Sequence, residues 1–566
     1  MLLTKIISSQ EKVFIDDNFD RFPTCESLCA LGGEVLNFQF IYTDSEEQQL
    51  PVRPFCEVVV DGELKECVTL RDVRSLPVER PTLPGIVDSN YERMTAGIYP
   101  DILTPLRYGG LTIISRSKLR SIWVELKIPE NYSGESTLDF SVFLRSCAVG
   151  DTGEEFFAGE LLAKNSIKIT VLPASLPAQK LLHTQWFYPD CLASYYRVEA
   201  WSEEHWKIVE AFAKVAAERG RNMLYTTLLT PALNVLPPYE RKNCQLVGVE
   251  VVDGEYVFNF DNVGRWIEMC DRIGIKYFEI SHFYDQHKAE HSAKVYATVM
   301  GEQKQIFTWD TMADDPEYVR FLRALIKEFL SYMKKRGADK RCFFHIADEP
   351  HIDDLEHFNK IKNNISDLLE GYTIMDALSN IEFYNIGAVT EPVPVTSHVM
   401  PFIEAGVKDL WVYYACNQVV DYSNCYLAMP SYRTRSIGMQ IYKYKIKGFL
   451  HWGYNYYNNR ASGDAINPYL DLSGEDWVPA GDTFIVYPEN DGTPLESIRL
   501  MTMEEAMQDI RAMELAEQYY SHSEVVSAME KALGDEITFE RCAHSAEEML
   551  RVREAVNELI RKAVQK

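Results

Sequence analysis

Two patterns of apolar residues divide the chain near residue 175. Up to that point, apolar positions alternate with polar ones in short runs, with Gly, Asn and Pro between them. The run 55–70, which contains an Asp61-Gly62 turn, is one example. Alternation with a period of two is typical of strands that bury one face. The pattern predicts an all-β sandwich domain over residues 1–175, followed by a proline-containing linker over 171–179.

After residue 180, short apolar runs alternate with amphipathic helices. Ser202 precedes a helix that stops at Gly220, and Asp315-Pro316 begins another that stops at Gly337. Ser and Asp accept hydrogen bonds from the first turn of a helix, Pro fits that turn, and Gly is favoured just past the end. These residues therefore mark helix boundaries, and the stretches between the helices are strand candidates.

Eight strand candidates follow one another in this second part. They are residues 183–187, 222–226, 277–280, 342–347, 374–378, 410–414, 448–452 and 484–487. Eight repeated β/α units predict an α/β fold, a (β/α)8 TIM-type barrel over residues 180–515. A doubly wound open sheet would use fewer strands. Residues 516–566 are predicted to form a helical C-terminal extension.

Composition and charge narrow the choice of partners. The formal net charge is −27, from 57 basic and 84 acidic residues, which repels nucleic-acid phosphates and anionic lipid. The chain has no run of 18 apolar residues and no signal-peptide pattern at its N-terminus, so no membrane span is expected. The twelve cysteines form no CxxC pair, which favours reduced thiols and a cytoplasmic protein. An uncharged substrate is therefore most compatible with the acidic surface. These patterns leave open whether the chain forms a homo-oligomer.

A pair of carboxylates follows the fourth strand candidate. The apolar run FFHIA ends at Asp348, and Glu349 and Pro350 come next. Barrel enzymes have their active sites at the carboxyl ends of the strands, so this pair is the catalytic candidate. An adjacent pair in an acidic protein can also be an ordinary solvated loop. Because strand neighbours point to opposite faces, the two side chains can share a pocket only if the strand breaks here.

Glycosidic bond hydrolysis usually takes two carboxylates from different strands. The segment 448–455, after the seventh candidate, contains no acid. An adjacent pair suits a sugar with a 2-acetamido group, whose own carbonyl oxygen attacks the anomeric carbon. Glu349 would then be the general acid/base, and Asp348 would stay ionised and hold the acetamido N–H. Neither metal nor cofactor is needed for that reaction.

Other polar and aromatic residues near predicted strand ends are candidates for binding a sugar, with a core role as the alternative for each. They are His183, Trp186, Asp190, His282, His345, Trp452, Tyr454, Asn455 and Tyr457. A Trp face can stack on a pyranose ring, and Asn can bond hydroxyl groups. One competing pattern is H-x-x-E-H at His287 and His291, typical of a zinc peptidase. It lies in a polar stretch without the apolar stripe of a buried helix, so we predict no metal site there.

The segment FFHIADEPH, followed about a hundred residues later by GFLHWGYNYYN, resembles the catalytic domain of glycoside hydrolase family 123. The segments HTQWFYPDCLASYY, SEEHWKIVEAFAKVAAERGRNMLYT and ISHFYDQH resemble the first three β/α units of that family. The likeness spans roughly residues 180–515 and is more specific for the fold than for the sugar. It implies an N-terminal β-sandwich and an exo-acting β-N-acetylgalactosaminidase. In that reading Asp348 orients the acetamido group and Glu349 is the acid/base.

Two other functions remain open on the sequence. The chain can be a glycosidase for another sugar, with a second carboxylate supplied by a loop; Asp421, Asp464 and Asp471 are candidates by position. It can also be a carbohydrate-binding protein on a barrel that has lost its activity. The presence of both acids at 348 and 349 argues against that last reading. The expected activity is therefore a retaining exo-hydrolase acting on a terminal β-linked N-acetylhexosamine.

Overall fold

The computed structural model describes residues 2–44, 55–86, 88–106, 111–113, 118–150, 153–157, 159–286, 288–460 and 463–565. Contacts divide the chain into two compact units. The first comprises Met1–Gln179, Val419–Lys443 and Leu495–Lys566, and the second Lys180–Gln418 and Tyr444–Pro494. This grouping differs from the three predicted segments, because residues 419–443 and 495–515 join the first unit together with the C-terminal extension.

The strands are numbered in chain order. They are β1 (Leu2–Ser8), β2 (Ser27–Gly32), β3 (Val35–Asp44), β4 (Phe55–Asp61), β5 (Val68–Val78), β6 (Gly97–Pro105), β7 (Leu111–Ile113), β8 (Arg120–Lys127), β9 (Gly134–Gly150), β10 (Gly153–Phe157), β11 (Leu161–Ser175), β12 (Leu182–Gln185), β13 (Met223–Thr226), β14 (Gly248–Val252), β15 (Glu255–Asn259), β16 (Tyr277–Ile280), β17 (Val295–Val299), β18 (Glu302–Phe307), β19 (Cys342–Phe344), β20 (Thr373–Ala377), β21 (Glu391–Val393), β22 (Trp411–Tyr413), β23 (Gly448–His451), β24 (Tyr487–Pro488) and β25 (Pro494–Ser497).

The helices are numbered in the same way. They are α1 (Pro189–Tyr195), α2 (Glu203–Glu218), α3 (Asp261–Ile273), α4 (Pro316–Lys335), α5 (Leu355–Asn363), α6 (Glu382–Asn385), α7 (Met400–Glu404), α8 (Ser431–Arg435), α9 (Ile437–Lys443), α10 (Ile498–Ala516), α11 (His522–Leu533) and α12 (Ala546–Val564).

Two sheets form the N-terminal part of the first unit. One has the order β1-β3-β8-β5-β6, with β25 paired to β6, and the other has the order β2-β11-β9-β4-β7. Alternate side chains of both sheets meet in one core, in which the Phe38 and Phe140 rings lie 5.8 Å apart. The predicted β-rich N-terminal region is confirmed.

Helices α8 to α12 complete the first unit. Their apolar side chains share a core with Leu31 and Leu172 of the β-rich region. Nearly every residue of α10 is buried, which is unusual for a surface helix. The ion pairs that Asp509 of α10 forms with Arg435 and Arg553 satisfy its buried charge. The helical tail is thus a packed part of this unit.

The second unit contains an eight-stranded parallel sheet. Its order is β21-β20-β19-β16-β13-β12-β23-β22, so strands that follow one another in the chain are neighbours in the sheet. A bridge between Val395 and Tyr413 joins the two ends, and the sheet is a nearly closed barrel. A separate four-stranded sheet, with the order β15-β14-β17-β18, belongs to the same unit.

Two strand predictions in this unit were wrong. The sixth strand is β21 (Glu391–Val393), which has no apolar run in the sequence. A glutamate can lie in this buried strand because the Glu391 carboxylate accepts hydrogen bonds from the Trp411 indole N–H at 2.9 Å and from Lys447 Nζ at 2.6 Å. The run 484–487 is not a barrel strand. It is apolar because it is buried against other loops, where Tyr457 donates to the carbonyl of Val486. The strand at 448–451 is therefore the eighth and not the seventh.

The predicted helix starts follow from local hydrogen bonds. The Ser202 side chain accepts from the backbone N–H of His205, and α2 begins at the next residue. Asp315 accepts from Glu317 N–H at 2.8 Å, with Pro316 in the first turn of α4. Such caps satisfy N–H groups that have no partner inside the helix, so they fix the boundary.

Candidate active site

The backbone breaks where the sequence places its two carboxylates. Strand β19 ends at Phe344, and the N–H of Glu349 bonds to the carbonyl of Ala377 at 3.1 Å. Glu349 has a φ of +48°, a left-handed conformation that is strained for a residue with a side chain. This break ends the strict alternation of faces, and both Asp348 and Glu349 line one cavity.

That cavity has a volume of about 500 Å³ and lies at the carboxyl ends of the barrel strands. Its size is within the usual range for small-molecule sites. Its residues lie at the ends of β12, β13, β16, β19, β20, β21, β22 and β23 or in the loops that follow them. They are Trp186, Asn234, Gln286, Asp348, Glu349, Pro350, His351, Ala377, Leu378, Ser379, Val395, Ser397, His398, Tyr413, Ala415, Cys416, Asn417, Gln418, Leu450, Trp452 and Trp477.

Asp348 is buried and is held by an amide. The side-chain Nε2 of Gln286 donates to Asp348 Oδ2 at 2.7 Å. Gln286 is itself oriented, since its Oε1 accepts from the backbone N–H of Asn234 at 3.2 Å. Burial and the neighbouring Glu349 charge raise the pKa of Asp348 well above that of an ordinary Asp, although the Gln286 hydrogen bond acts in the opposite direction.

Glu349 is half-buried and is held by a phenol. Tyr413, the last residue of β22, donates its hydroxyl to Glu349 Oε1 at 2.6 Å. Burial raises the pKa of Tyr413 well above its ordinary value, and the Glu349 charge adds to that. The phenol therefore stays protonated and acts as a donor. Each carboxylate thus has its own neutral donor, and both have oxygen atoms left for a ligand.

Aromatic side chains form part of the cavity wall. The Trp186 indole N–H donates to Glu279 at 2.6 Å, and that of Trp452 donates to Asp482 at 3.0 Å. Trp477 packs against Trp452 with ring centroids 5.3 Å apart. The hydrogen bonds fix both indoles, and their faces can stack on a sugar ring. The structure places the predicted residues Trp186 and Trp452 in the cavity.

Below the lining lies a fully buried cluster that contains two more predicted residues. His345 bonds Glu279 through Nε2 at 2.7 Å and Asp376 through Nδ1 at 3.1 Å. His282 stacks on His345 with ring centroids 4.2 Å apart, and its Nδ1 bonds the Tyr225 hydroxyl at 2.9 Å. Neither histidine lines the cavity. They are too deep to touch a ligand and instead support the residues that do.

His282, His345 and Asp376 are the three residues of the described chain that come close enough together to hold a metal ion, within 4.8 Å of one another. Both nitrogens of His345 are already bonded to carboxylates. The two rings are stacked at 27°, so their in-plane lone pairs run nearly parallel and do not converge on one point. This geometry suits a charged imidazole between carboxylates better than a metal ligand.

The structure places two predicted binding residues away from the cavity. His183 is buried on β12 beside Phe449, with ring centroids 5.5 Å apart. Asp190, in the first turn of α1, receives two hydrogen bonds from Arg241, at 2.6 and 2.8 Å. A carboxylate this far from water needs such a partner. Asp190 therefore holds the loop that contains Arg241, and it does not line the cavity.

Three more predicted binding residues also lie outside the cavity. The Tyr454 hydroxyl donates to the carbonyl of Phe212 at 2.9 Å, and that of Tyr457 to the carbonyl of Val486 at 2.7 Å. Asn455 clamps Tyr188 by accepting from its N–H at 2.9 Å and donating to its carbonyl at 3.1 Å. Each polar atom satisfies a buried backbone group, so these residues fix the loop after β23.

Replacing Asp190 with asparagine tests this structural assignment. Asparagine keeps the shape but leaves the buried Arg241 guanidinium without its counter-charge. The side chains of Arg241 and Asp190 are only 1% and 0% exposed. We expect the free energy of unfolding to fall by about 3–5 kcal/mol in denaturant titrations. The exposed Asp310→Asn variant is the control. A folded Asp190→Asn protein of unchanged stability but with a raised KM would instead make Asp190 a ligand.

The rival site residues do not converge on the cavity. His287 lies outside the described residues, and His291 pairs with Asp285 at 3.0 Å. Asp471 accepts from the backbone N–H groups of Ser473 and Glu475 in a local turn. Asp464 and Asp421 are likewise absent from the cavity lining given above.

Sequence reasoning missed Gln286, Tyr413 and Trp477. Gln286 lies in a polar loop six residues after β16, and Trp477 is far from any strand. No local pattern separates them from ordinary loop residues. Tyr413 is the last but one residue of the predicted strand 410–414, and that position was a usable signal, because strand ends at this face of a barrel carry active-site groups.

Residues 186–516, more than half of the chain, match the catalytic domain of glycoside hydrolase 123. The chain belongs to glycoside hydrolase family 123. This confirms the resemblance carried by FFHIADEPH and GFLHWGYNYYN. The family 123 assignment supports glycoside hydrolase activity, and the cavity lined by Asp348 and Glu349 is its candidate active site. No curated protein matches the chain.

One solved structure shares the fold of this chain over nearly its whole length. A family 123 glycoside hydrolase from Clostridium perfringens, described for glycolipid glycan hydrolysis, matches with a TM-score of 0.73 and 16% identity, over 100% of this chain and 99% of that one. A putative β-galactosidase from Bacteroides fragilis matches with a TM-score of 0.31 and 8% identity, over 87% and 60%. A β-D-glucuronidase from Dictyoglomus thermophilum gives 0.32 and 9%, over 87% and 72%. The first likeness shows a shared fold, and the other two are too weak to argue from.

Among the described residues, none of the helices combines the length and the apolar character needed to cross a bilayer.

Proposed function

We propose that this protein is a retaining exo-hydrolase that removes a terminal β-linked N-acetylhexosamine, with N-acetylgalactosamine favoured, on a (β/α)8 TIM-type barrel. One observation carries the proposal: among the described residues, Asp348 and Glu349 are the acids that line the cavity. Within the part of the chain that the structure describes, no further aspartate or glutamate lines the cavity to serve as a separate nucleophile. The 2-acetamido oxygen of the substrate then supplies the nucleophile itself.

The two carboxylates have different tasks in this reaction. Glu349 protonates the leaving glycosidic oxygen while the acetamido oxygen attacks the anomeric carbon, giving a bicyclic oxazolinium ion. Asp348 accepts the acetamido N–H and balances the positive charge that forms there. Glu349 then takes a proton from water, which opens the ring with overall retention. The donors Gln286 and Tyr413 hold the two carboxylates in place for these steps.

The cavity is consistent with a sugar ring held at its non-reducing end. Trp186 and Trp452 are fixed by hydrogen bonds and offer apolar faces for stacking. The wall that contains Ser397 and the exposed Asn417 offers hydroxyl and amide groups to the rest of a glycan. Because the C. perfringens protein is described for glycolipid glycan hydrolysis, glycans of that class are the first natural substrates to test.

A panel of nitrophenyl glycosides tests the proposal. We expect turnover of β-N-acetylgalactosaminide and little or none of β-galactoside or β-glucoside, with retention seen by NMR of the first product. A thiazoline analogue of the oxazolinium ion should inhibit tightly, because it resembles the intermediate. Turnover that does not need the acetamido group would favour a glycosidase with a loop carboxylate. Sugar binding without turnover, unchanged in Glu349→Gln, would favour a binding protein.

A further inference from the structure

A fully buried charged group lies next to the catalytic pair. It consists of Glu279 on β16, His345 just after β19 and Asp376 on β20, each with no exposed surface. We refer to these three residues as the buried triad. None of them lines the cavity, but His345 precedes Asp348 by three residues on the same short segment. The triad is therefore placed to act on Asp348 without touching a ligand.

The hydrogen bonds of His345 indicate its charge. Each ring nitrogen faces a carboxylate oxygen, at 2.7 Å for Glu279 and 3.1 Å for Asp376. A neutral imidazole has one N–H and can donate to only one of them, whereas an imidazolium donates to both. Burial lowers the pKa of His345, but the bonds to Asp376 and Glu279 and their charges outweigh it and raise the pKa to about 9. The ring is thus protonated at neutral pH.

The other polar groups around the triad agree with a single positive charge on His345. Burial lowers the pKa of the stacked His282 well below its ordinary value, and the His345 charge adds to that, so His282 is neutral. Burial raises the pKa of Tyr225 well above its ordinary value, so its hydroxyl is also neutral. Trp186 and Thr184 donate to the two oxygens of Glu279, so both oxygens of that carboxylate accept hydrogen bonds from neutral side chains.

A nearby positive charge favours the ionised form of Asp348. Its hydrogen-bond donor is the neutral amide of Gln286, and it faces the like charge of Glu349. The His345 charge favours ionised Asp348, while the smaller influence of the Asp376 charge opposes it. A cation placed below the lining also leaves Asp348 Oδ1 available to a ligand, because Gln286 bonds only Oδ2.

We infer that His345 is a positioning residue, an imidazolium at neutral pH held by Glu279 and Asp376, whose positive charge favours the ionised form of Asp348 that accepts the acetamido N–H. This inference rests on the proposed role of Asp348. Below the pH at which Asp348 takes up a proton, that carboxyl no longer accepts the N–H fully, and activity falls. This fall in activity at low pH is the acid limb of the pH profile. The pH at which it occurs therefore depends on the charge of His345.

The test compares pH profiles of kcat/KM for wild type and His345→Gln. Glutamine can still donate one hydrogen bond but carries no charge. We expect the acid limb to move to higher pH by about one unit, the effect of losing one nearby opposite charge. The control is His205→Gln, a buried histidine of α2 whose ring bonds only to backbone groups. Its profile should keep the wild-type limb. A folded His345→Gln protein with an unmoved limb would refute the inference.

A second measurement does not depend on the variant folding. Nitrogen NMR of histidine-labelled wild-type protein should show one imidazole that keeps both protons up to pH 8. Its assignment follows from Asp376→Asn, which removes the charge of one partner and should change that signal most. A wild-type protein in which all imidazoles are neutral at pH 8 would overturn the inference.

These readouts also separate the inference from the proposed function. If no N-acetylhexosaminide is turned over, the proposed function fails, but the NMR titration still decides the charge of His345. Carbon NMR of labelled Asp can then follow the ionisation of Asp348 directly. An Asp348 titration that is the same in wild type and His345→Gln contradicts the inference even in an inactive protein.

Discussion

Glu349→Gln is expected to lower kcat on a glycan substrate by about 10³-fold, within the range for losing a general acid/base. Glutamine has nearly the same shape and can still accept the Tyr413 hydroxyl through its amide oxygen. The cavity should therefore keep its form and its affinity for sugar. What is lost is the proton for the leaving oxygen, so the effect falls on kcat more than on KM.

The leaving group makes this prediction specific. A nitrophenyl aglycone departs with little help from an acid, whereas a sugar or alkyl aglycone needs a full proton. The variant should therefore lose much less activity on the nitrophenyl substrate in the first step. Glu356→Gln, an exposed neighbour on α5, is the matched control and should behave as wild type. Equal losses on both substrates would remove Glu349 from the role of acid.

Asp348→Asn is expected to lower kcat/KM for N-acetylhexosaminides by about 10²–10³-fold, similar to the loss of other single groups that stabilise a charged transition state. The amide keeps the size of the buried side chain but cannot balance the positive charge of the oxazolinium ion. It also places an N–H group where the acetamido N–H would donate. The loss should appear for all leaving groups, unlike that of Glu349→Gln.

Inhibition by the thiazoline analogue is the readout for this second variant. Its affinity should fall roughly in parallel with kcat/KM, since it resembles the charged intermediate. Asp353→Asn, which lies on the surface in the same segment, is the control. A variant that binds the thiazoline as tightly as wild type would mean that Asp348 does not stabilise the oxazolinium ion.

The local features of the fold could be predicted from sequence. Caps at Ser202 and Asp315 lie within a few residues of the N–H groups that they satisfy, so a short segment contains the whole signal. Most barrel strands are apolar because they are buried on both faces. The strand β21 was missed because it is not apolar. Its Glu391 is paired with groups twenty and fifty-six residues away, and that partnership is not visible locally.

The candidate site also combines residues that a local pattern reveals with partners that are distant in the sequence. The pair at 348 and 349 stands out because an apolar strand stops there. Its donors do not, because Gln286 and Tyr413 come from distant parts of the chain and only the closed sheet brings them close. For the histidines and tyrosines near strand ends, residue type alone does not show which side chains line the cavity and which lie in the core. Tyr454 and Tyr457 look the same in sequence as residues that bind sugar, but their hydroxyls are used by backbone carbonyls.

The sequence by itself determined the β-rich first part, the repeated β/α pattern, the family and the two adjacent acids. All of these depend on periodicity or on residues that are neighbours in the chain. Tertiary structure alone decided how Asp348 and Glu349 come to share one cavity, through a left-handed turn at Glu349 and a hydrogen bond to Ala377. It also decided that Asp190 pairs with Arg241 and that His345 lies between two carboxylates. The physical reason is that a buried polar side chain needs a hydrogen-bonding or oppositely charged partner. The fold determines which residue that partner is, and closeness in the sequence does not.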